Sequence, residues 1–192
     1  MRKLLITVSF LLALPLVALA QDAPKVEVFG GYSYLNPKDA DDLHGWNASV
    51  TGNVNKWFGI KTDVSGYYDS ANVPGIAKVN LSSYLILAGG QFTYRGNERV
   101  QPFAHVMAGT TYDRIRTRVS CTPGTLGCSA FANGRFSDAG FALVLGGGVD
   151  LKVAKALAVR LIQADYVYSR NEGFNDHALR LSTGLVLRLG EQ

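Results

Sequence analysis

The sequence predicts an all-β fold, an eight-stranded antiparallel up-and-down transmembrane β-barrel that follows a cleaved signal peptide. Three observations predict it. An N-terminal segment has the basic start, apolar run and small-residue end of an export signal. The rest of the chain alternates apolar and polar residues with period two, segment after segment. The connections between segments are short and long by turns. Composition agrees: in 192 residues, 47% hydrophobic and 18% charged content excludes disordered or collagen-like chains, and 21 glycines with 10% aromatics favour sheet over helix. Mean hydropathy of +0.09 is too low for a bundle of membrane-spanning helices.

Residues 1 to 20 carry Arg2 and Lys3, an apolar run from Leu4 to Val17, and Ala18, Leu19 and Ala20 before Gln21. The run is shorter than the ~20 residues that cross a bilayer core, so cleavage after Ala20 is expected rather than a retained anchor. Residues 21 to 192 then form one barrel domain. Of the 19 basic residues, Arg2 and Lys3 leave with the signal; the remaining 17 against 15 acidic residues give no case for nucleic acid.

The strands are expected at 25 to 35, 44 to 54, 57 to 68, 79 to 94, 100 to 115, 138 to 151, 157 to 169 and 177 to 189. In the second, Trp46, Ala48, Val50, Gly52 and Val54 form an apolar face opposite Asn47, Ser49, Thr51 and Asn53. The third places Phe58, Ile60, Thr62, Val64, Gly66 and Tyr68 opposite Lys61, Asp63 and Ser65. The fourth leaves its facing open through Leu85, Ile86 and Leu87. The seventh reads with odd residues outward at Val159 and Leu161 but even ones at Tyr166 and Tyr168, which a bulge near Gln163 reconciles. The eighth alternates most strongly: Leu179, Leu181, Thr183, Leu185, Leu187 and Leu189 against Arg180, Ser182, Gly184, Val186 and Arg188.

Connections at 55 to 56, 95 to 99 and 152 to 156 are short, whereas 36 to 43, 69 to 78 and 116 to 137 are long and 170 to 176 is intermediate. All the longer ones fall at one end. The glycine run Gly146 to Gly148 precedes no helix, so close strand packing explains it better than a phosphate loop.

Alternation alone does not say which face is wet. Small neutral residues such as Asn47, Ser49, Thr51 and Asn53 suit a crowded lumen, where a water-facing sheet would carry Lys and Glu. Aromatics gather near strand ends, with Tyr32 and Tyr34, Trp46, Trp57 and Phe58, Tyr67 and Tyr68, Phe92 and Tyr94, Tyr112, and Tyr166 and Tyr168, as girdles at two water–lipid interfaces do. A secreted lipocalin-like ligand-binding barrel is the competing reading, but the C-terminal helix and early Gly-x-Trp it requires are missing.

With these strands in place the chain resembles the small outer-membrane β-barrel superfamily, the OmpA-like and OmpX-like proteins with porin-like barrel domains. The resemblance covers about residues 25 to 189. Its most specific part is the last strand, where Ser182, Gly184, Leu187 and Leu189 match the assembly signal read by the barrel-insertion machinery; Leu189 stands where the family usually ends on an aromatic. Pro102-Phe103-Ala104-His105 and Gly146-Gly147-Gly148-Val149-Asp150 look like further strand patterns of such barrels. The resemblance implies an outer-membrane location, with the barrel-assembly machinery and outer-membrane lipid as partners.

Eight strands enclose an interior that side chains fill. Glu27, Lys61, Asp63, Gln91, His105, Asp150, Arg160, Asp165, Arg180 and Arg188 are expected to form a lumen polar network of mixed sign, which leaves a selective conduit as the alternative. Enzyme chemistry is not expected: no nucleophile motif surrounds His44, His105 or His177, although Ser169 and Asp176 fall near His177 in sequence. No histidine pair has metal-ligand spacing, so neither metal nor cofactor is expected. Cys121 and Cys128, in the longest connection, are expected to form a disulfide in an oxidising envelope. Arg114, Arg116 and Arg118 share the outward parity of Tyr112. At a rise of about 3.4 Å per residue and a tilt of about 40°, Arg114 reaches the outer headgroup level, where lipid phosphates such as those of lipopolysaccharide are candidate contacts. The function expected is structural or adhesive, through connections 36 to 43, 69 to 78 and 116 to 137. A narrow porin is the runner-up.

Overall fold

The computed structural model describes residues 23–38, 41–73, 77–119, 134–171 and 174–191. The proposed signal segment, Cys121 and Cys128 lie outside these residues. Eight strands follow one another: β1 (Pro24–Pro37), β2 (Leu43–Asn53), β3 (Phe58–Val73), β4 (Ala77–Thr93), β5 (Val100–Val119), β6 (Gly134–Ala154), β7 (Leu157–Asn171) and β8 (Phe174–Glu191). Each pairs antiparallel with its sequence neighbours, and β1 pairs with β8 from Pro24↔Glu191 to Pro37↔Ala178, closing the barrel. Closure satisfies every strand edge, which an open sheet in hydrocarbon could not do.

Strand count and order agree with the sequence, but several boundaries move outward. Connection 69 to 78 is largely ladder, from Asp69↔Leu81 to Val73↔Ala77, and β5 and β6 continue to Val119 and from Gly134. Connection 170 to 176 shortens similarly between Asn171 and Phe174. Polar side chains in these stretches resemble a loop, yet backbone pairing does not depend on an apolar face once the barrel has set the register. Between β1 and β2, Asp42 is held below the usual carboxylate range by hydrogen bonds from the Tyr34 hydroxyl and the Asn36 amide. The tie is present at neutral pH and is released when acid protonates Asp42. At the other end Asn55 Oδ1 accepts hydrogen bonds from the amides of Trp57 and Phe58, both at 2.8 Å, and so shapes the β2–β3 turn.

The faces are inverted relative to a soluble barrel. Ile60, Leu145 and Leu185 are 59%, 60% and 54% exposed on the outside, whereas Lys61, Asp63 and Arg180 are 0% exposed inside. A cylinder with leucine outside and ion pairs inside is stable only with hydrocarbon around it. Leu185→Arg is accordingly expected to destabilise the barrel by about 2–4 kcal/mol. The loss is read as a smaller fraction migrating in the compact form on unboiled gels after refolding into vesicles.

The parity conflict in β7 resolves as a bulge. Asp150 pairs with Arg160 and Val149 with Ile162, so Leu161 has no counterpart. Leu161 and Ile162 both face outward, and Arg160 and Gln163 both face inward. One extra residue thus brings two polar side chains to the bore that strict alternation would place on opposite faces.

The lumen has two zones. Towards the long-connection end lies an apolar cluster of Leu35, Leu43, Tyr67, Leu85, Leu87, Met107, Ala142, Val144 and Val167. Towards the short-turn end lie the ion pairs, with Phe29, Ala158 and Val186 packed among them. Leu85 and Leu87 therefore face inward and Ile86 outward, which settles the orientation of β4. Tyr67 is a correction: it belongs not to the girdle but to the interior, fully buried, with its hydroxyl 2.9 Å from Ser33 Oγ. Adjacent residues on a strand without a bulge take opposite faces, and Tyr68 takes the outer one.

Candidate functional site

The centre of the lumen is built around Arg180. From β8 its Nε donates to Asp165 Oδ2 at 2.7 Å, and its Nη1 reaches across the bore to Asp63 Oδ1 on β3 at 2.9 Å. His105 Nε2 lies 2.8 Å from the other oxygen of Asp165, and Gln163 Nε2 donates to Asp165 Oδ2 at 2.6 Å. Asn47 Nδ2 donates to Asp63 at 2.8 Å, and Lys61 Nζ stands 3.8 Å from it. A Cβ on Gly146 would collide with the Asp165 carboxylate and the Ala164 carbonyl. The glycine run thus makes room for the network rather than for a ligand phosphate.

Arg160 forms a second centre. Its Nε and Nη2 hold both oxygens of Asp150, at 2.8 and 3.1 Å, and its Nη1 donates to Gln163 at 2.6 Å. The guanidinium lies between two rings, 4.3 Å from the centroid of Phe29 and 4.2 Å from that of Phe103. A cation so desolvated gains about 2 kcal/mol from an aromatic face. Bidentate pairing and stacking together suit arginine and no other cation.

The third layer closes the short-turn end. Glu27 Oε2 accepts from Arg95 Nη2 at 3.1 Å, and its Oε1 lies 3.1 Å from Arg188 Nε. Arg188 Nη2 donates to Gln101 at 2.7 Å, and Arg95 Nη1 to the Lys56 carbonyl at 2.7 Å. Gln91 is buried beside Thr93, to which it donates at 3.2 Å. All ten residues named from the sequence for the lumen are buried there, in three layers. Arg95, Gln101, Asn47 and Gln163 complete the layers. Sequence parity points to Gln101 and Asn47; Arg95, beyond the end of β4, carried no such signal.

Aromatics ring the outer surface near the long-connection end. The Tyr32 hydroxyl meets His44 Nδ1, and the Tyr166 hydroxyl meets His177 Nδ1. Tyr34 and Tyr168 pack on the same two imidazoles, with centroids 5.5 and 5.3 Å away. Both histidines are thus girdle members. Ser169 and Asp176 face each other in the β7–β8 ladder one step beyond His177. Arg114 sits over Tyr112 at 5.5 Å, and the backbone ladder beyond it pairs Arg116 with Asn80 and Arg118 with Lys78. At the short-turn end Trp57 packs on Tyr94 and Phe58 on Phe92, with centroids 5.5 and 5.0 Å apart. Among the described residues no group of three or more His, Cys, Asp or Glu side chains is arranged to hold a metal ion.

Residues 6–186 match the family model described as "Outer membrane protein beta-barrel domain". The chain belongs to that family. This outer-membrane barrel also aligns with solved structures. Ail, the attachment invasion locus protein of Yersinia pestis, in complex with the heparin analogue sucrose octasulfate, aligns at a TM-score of 0.58 and 15% identity, over 86% of this chain and 99% of that one. OprG of Pseudomonas aeruginosa aligns at 0.51 and 12% identity, over 88% and 98%. At such identities the likeness concerns fold. No curated protein sequence matches the chain.

In an outer-membrane barrel the short turns face the periplasm and the long connections the exterior. The apolar lumen zone and the tyrosine–histidine girdle are then exterior, and the Glu27–Arg95–Arg188 layer is periplasmic. Of the four residues matching the assembly signal, Leu187 and Leu189 lie on the lipid face, and Ser182 bonds Ser33 across the β1–β8 seam at 2.8 Å. Gly184 lies opposite Gly31 in that seam, and a Cβ on it would strike the backbone of Gly30 and Gly31.

Proposed function

We propose that this outer-membrane barrel serves a structural and surface-contact role rather than solute passage. The observation that carries the reading is the lumen, blocked twice, by apolar packing on the exterior side and by crossed ion pairs on the periplasmic side. A bore so filled leaves the outer surface and the exterior ends of the strands as the parts available to partners.

Those ends support the reading. Above the Tyr84–Tyr112 pair, β4 and β5 continue together to Ala77↔Val119, which at about 3.4 Å per residue and 40° of tilt raises the sheet roughly 18 Å beyond the girdle. Arg114, Arg116 and Arg118 share one sequence parity along this projection, and their role in this reading is contact with phosphates of the outer leaflet, such as those of lipopolysaccharide. That Ail, of similar fold, was solved in complex with the heparin analogue sucrose octasulfate supports a polyanion as the kind of partner such a barrel takes. Ser182, Gly184, Leu187 and Leu189 serve recognition by the assembly machinery, and Cys121 and Cys128 a disulfide in the connection beyond β5.

Planar-bilayer recordings of the refolded protein are expected to show no conductance steps at neutral pH; regular single-channel steps would favour the porin reading. Replacing Arg114, Arg116 and Arg118 by Gln is expected to lower retention on lipopolysaccharide-containing vesicles about tenfold while leaving phosphatidylcholine vesicles unaffected, since three phosphate contacts are lost. Unchanged retention would remove the lipid-contact assignment.

A further inference from the structure

Below the Glu27–Arg95–Arg188 layer the barrel opens into a periplasmic vestibule of about 700 Å³. Arg95, Arg188, Lys152 and Lys155 line it, with Glu98 as its lining carboxylate and Gln101 as a buried amide. Glu27, at the floor, shares its charge between two guanidiniums. The Arg95 Nε is buried without a hydrogen-bond partner, and neither Lys152 nor Lys155 takes part in an ion pair among the described residues.

A concave site with low-dielectric walls and one dominant sign of charge focuses its potential on the space it encloses. Two of the four cations are arginines held by the floor, whose planar forks match the oxygens of phosphates and carboxylates. The other two are flexible lysines at the rim, on and beside the β6–β7 turn, able to adjust to the outer part of a ligand. The volume falls within the range of about 300–1,000 Å³ typical of small-molecule sites. It is too small for a folded partner and larger than one inorganic anion needs.

We infer that this vestibule binds a small multivalent oxyanion, bearing clustered phosphates or carboxylates, from the periplasmic side. The floor does not open for it, so the site is a receptor on the inner face of the membrane and not the mouth of a pore. Its affinity falls as salt rises, because the lysines at the rim are exposed and screened.

The test is calorimetric titration of the full barrel, refolded in non-ionic detergent, with inorganic tripolyphosphate and with citrate. The wild type is expected to bind at least one of them at low salt and to lose it at high salt; the tighter of the two identifies whether the ligand carries phosphate or carboxylate. Lys152→Glu with Lys155→Glu is expected to weaken binding by about tenfold or more. The comparison is Lys38→Glu with Arg170→Glu, exposed at the exterior end, which changes net charge equally and is expected to leave binding intact. Compact migration on unboiled gels verifies that both variants fold. No binding by the wild type, or equal weakening by both variants, overturns the inference.

Discussion

Arg180→Leu is expected to lower the stability of the barrel by about 3–5 kcal/mol, the cost of breaking a buried ion pair by removing one partner. The substitution leaves Asp63 and Asp165 facing each other across a dry bore. Lys61, at 3.8 Å, is too distant to replace the guanidinium that contacts both carboxylates within 3 Å. Removing both members of a pair has a different consequence. Asp150→Leu combined with Arg160→Met leaves no orphaned charge and keeps an extended side chain between Phe29 and Phe103. That double variant is expected to stay within about 2 kcal/mol of the wild type. Urea unfolding in vesicles, followed by the fluorescence of Trp46 and Trp57 near the two ends of the barrel, measures both. A single variant as stable as the double would mean that water reaches Asp63 and Asp165, and the closed-lumen reading would fall with it.

Gly184→Val is expected to cost about 3 kcal/mol or more and to block closure, because the added carbons meet the backbone of Gly30 and Gly31 at the seam rather than a side chain that could move aside. The outcome separates two roles for this glycine. If Gly184 matters through strand packing, the variant fails to fold both in cells and in detergent, where no assembly machinery acts. If it matters only through recognition, purified variant folds normally in detergent and fails in cells alone. Leu189→Phe provides the contrast. It puts an aromatic on the exposed lipid face at that position and is expected to change insertion efficiency in cells while leaving detergent refolding untouched.

Much of the architecture was legible because lipid outside and polar side chains inside impose opposite chemistry on alternate residues. Where that opposition weakens, legibility ends. In Leu85-Ile86-Leu87 and Ala142-Leu143-Val144-Leu145 both parities are apolar, since the exterior half of the lumen is itself packed with hydrocarbon. Period two disappears there, and the apolar plug disappears with it. Grouping Tyr67 and Tyr68 in one girdle ignores that their parities differ, and the wet-face rule applied strictly sends Tyr67 inward. Arg95 escaped because alternation says nothing beyond the end of a strand; its role depends on a turn folding back under the barrel to Glu27. The extensions of β3 to β6 were hidden for the opposite reason. Their residue types are those common in solvated loops, while the backbone continues the ladder.

The seam between β1 and β8 has a consequence for biogenesis. β1 and β8 are wall-mates, so the ring cannot close on any fragment that lacks β8. Contacts of such sequence separation form late. Until then the strands present an unsealed edge and a greasy belt that water does not tolerate, and commitment to shape waits for β8.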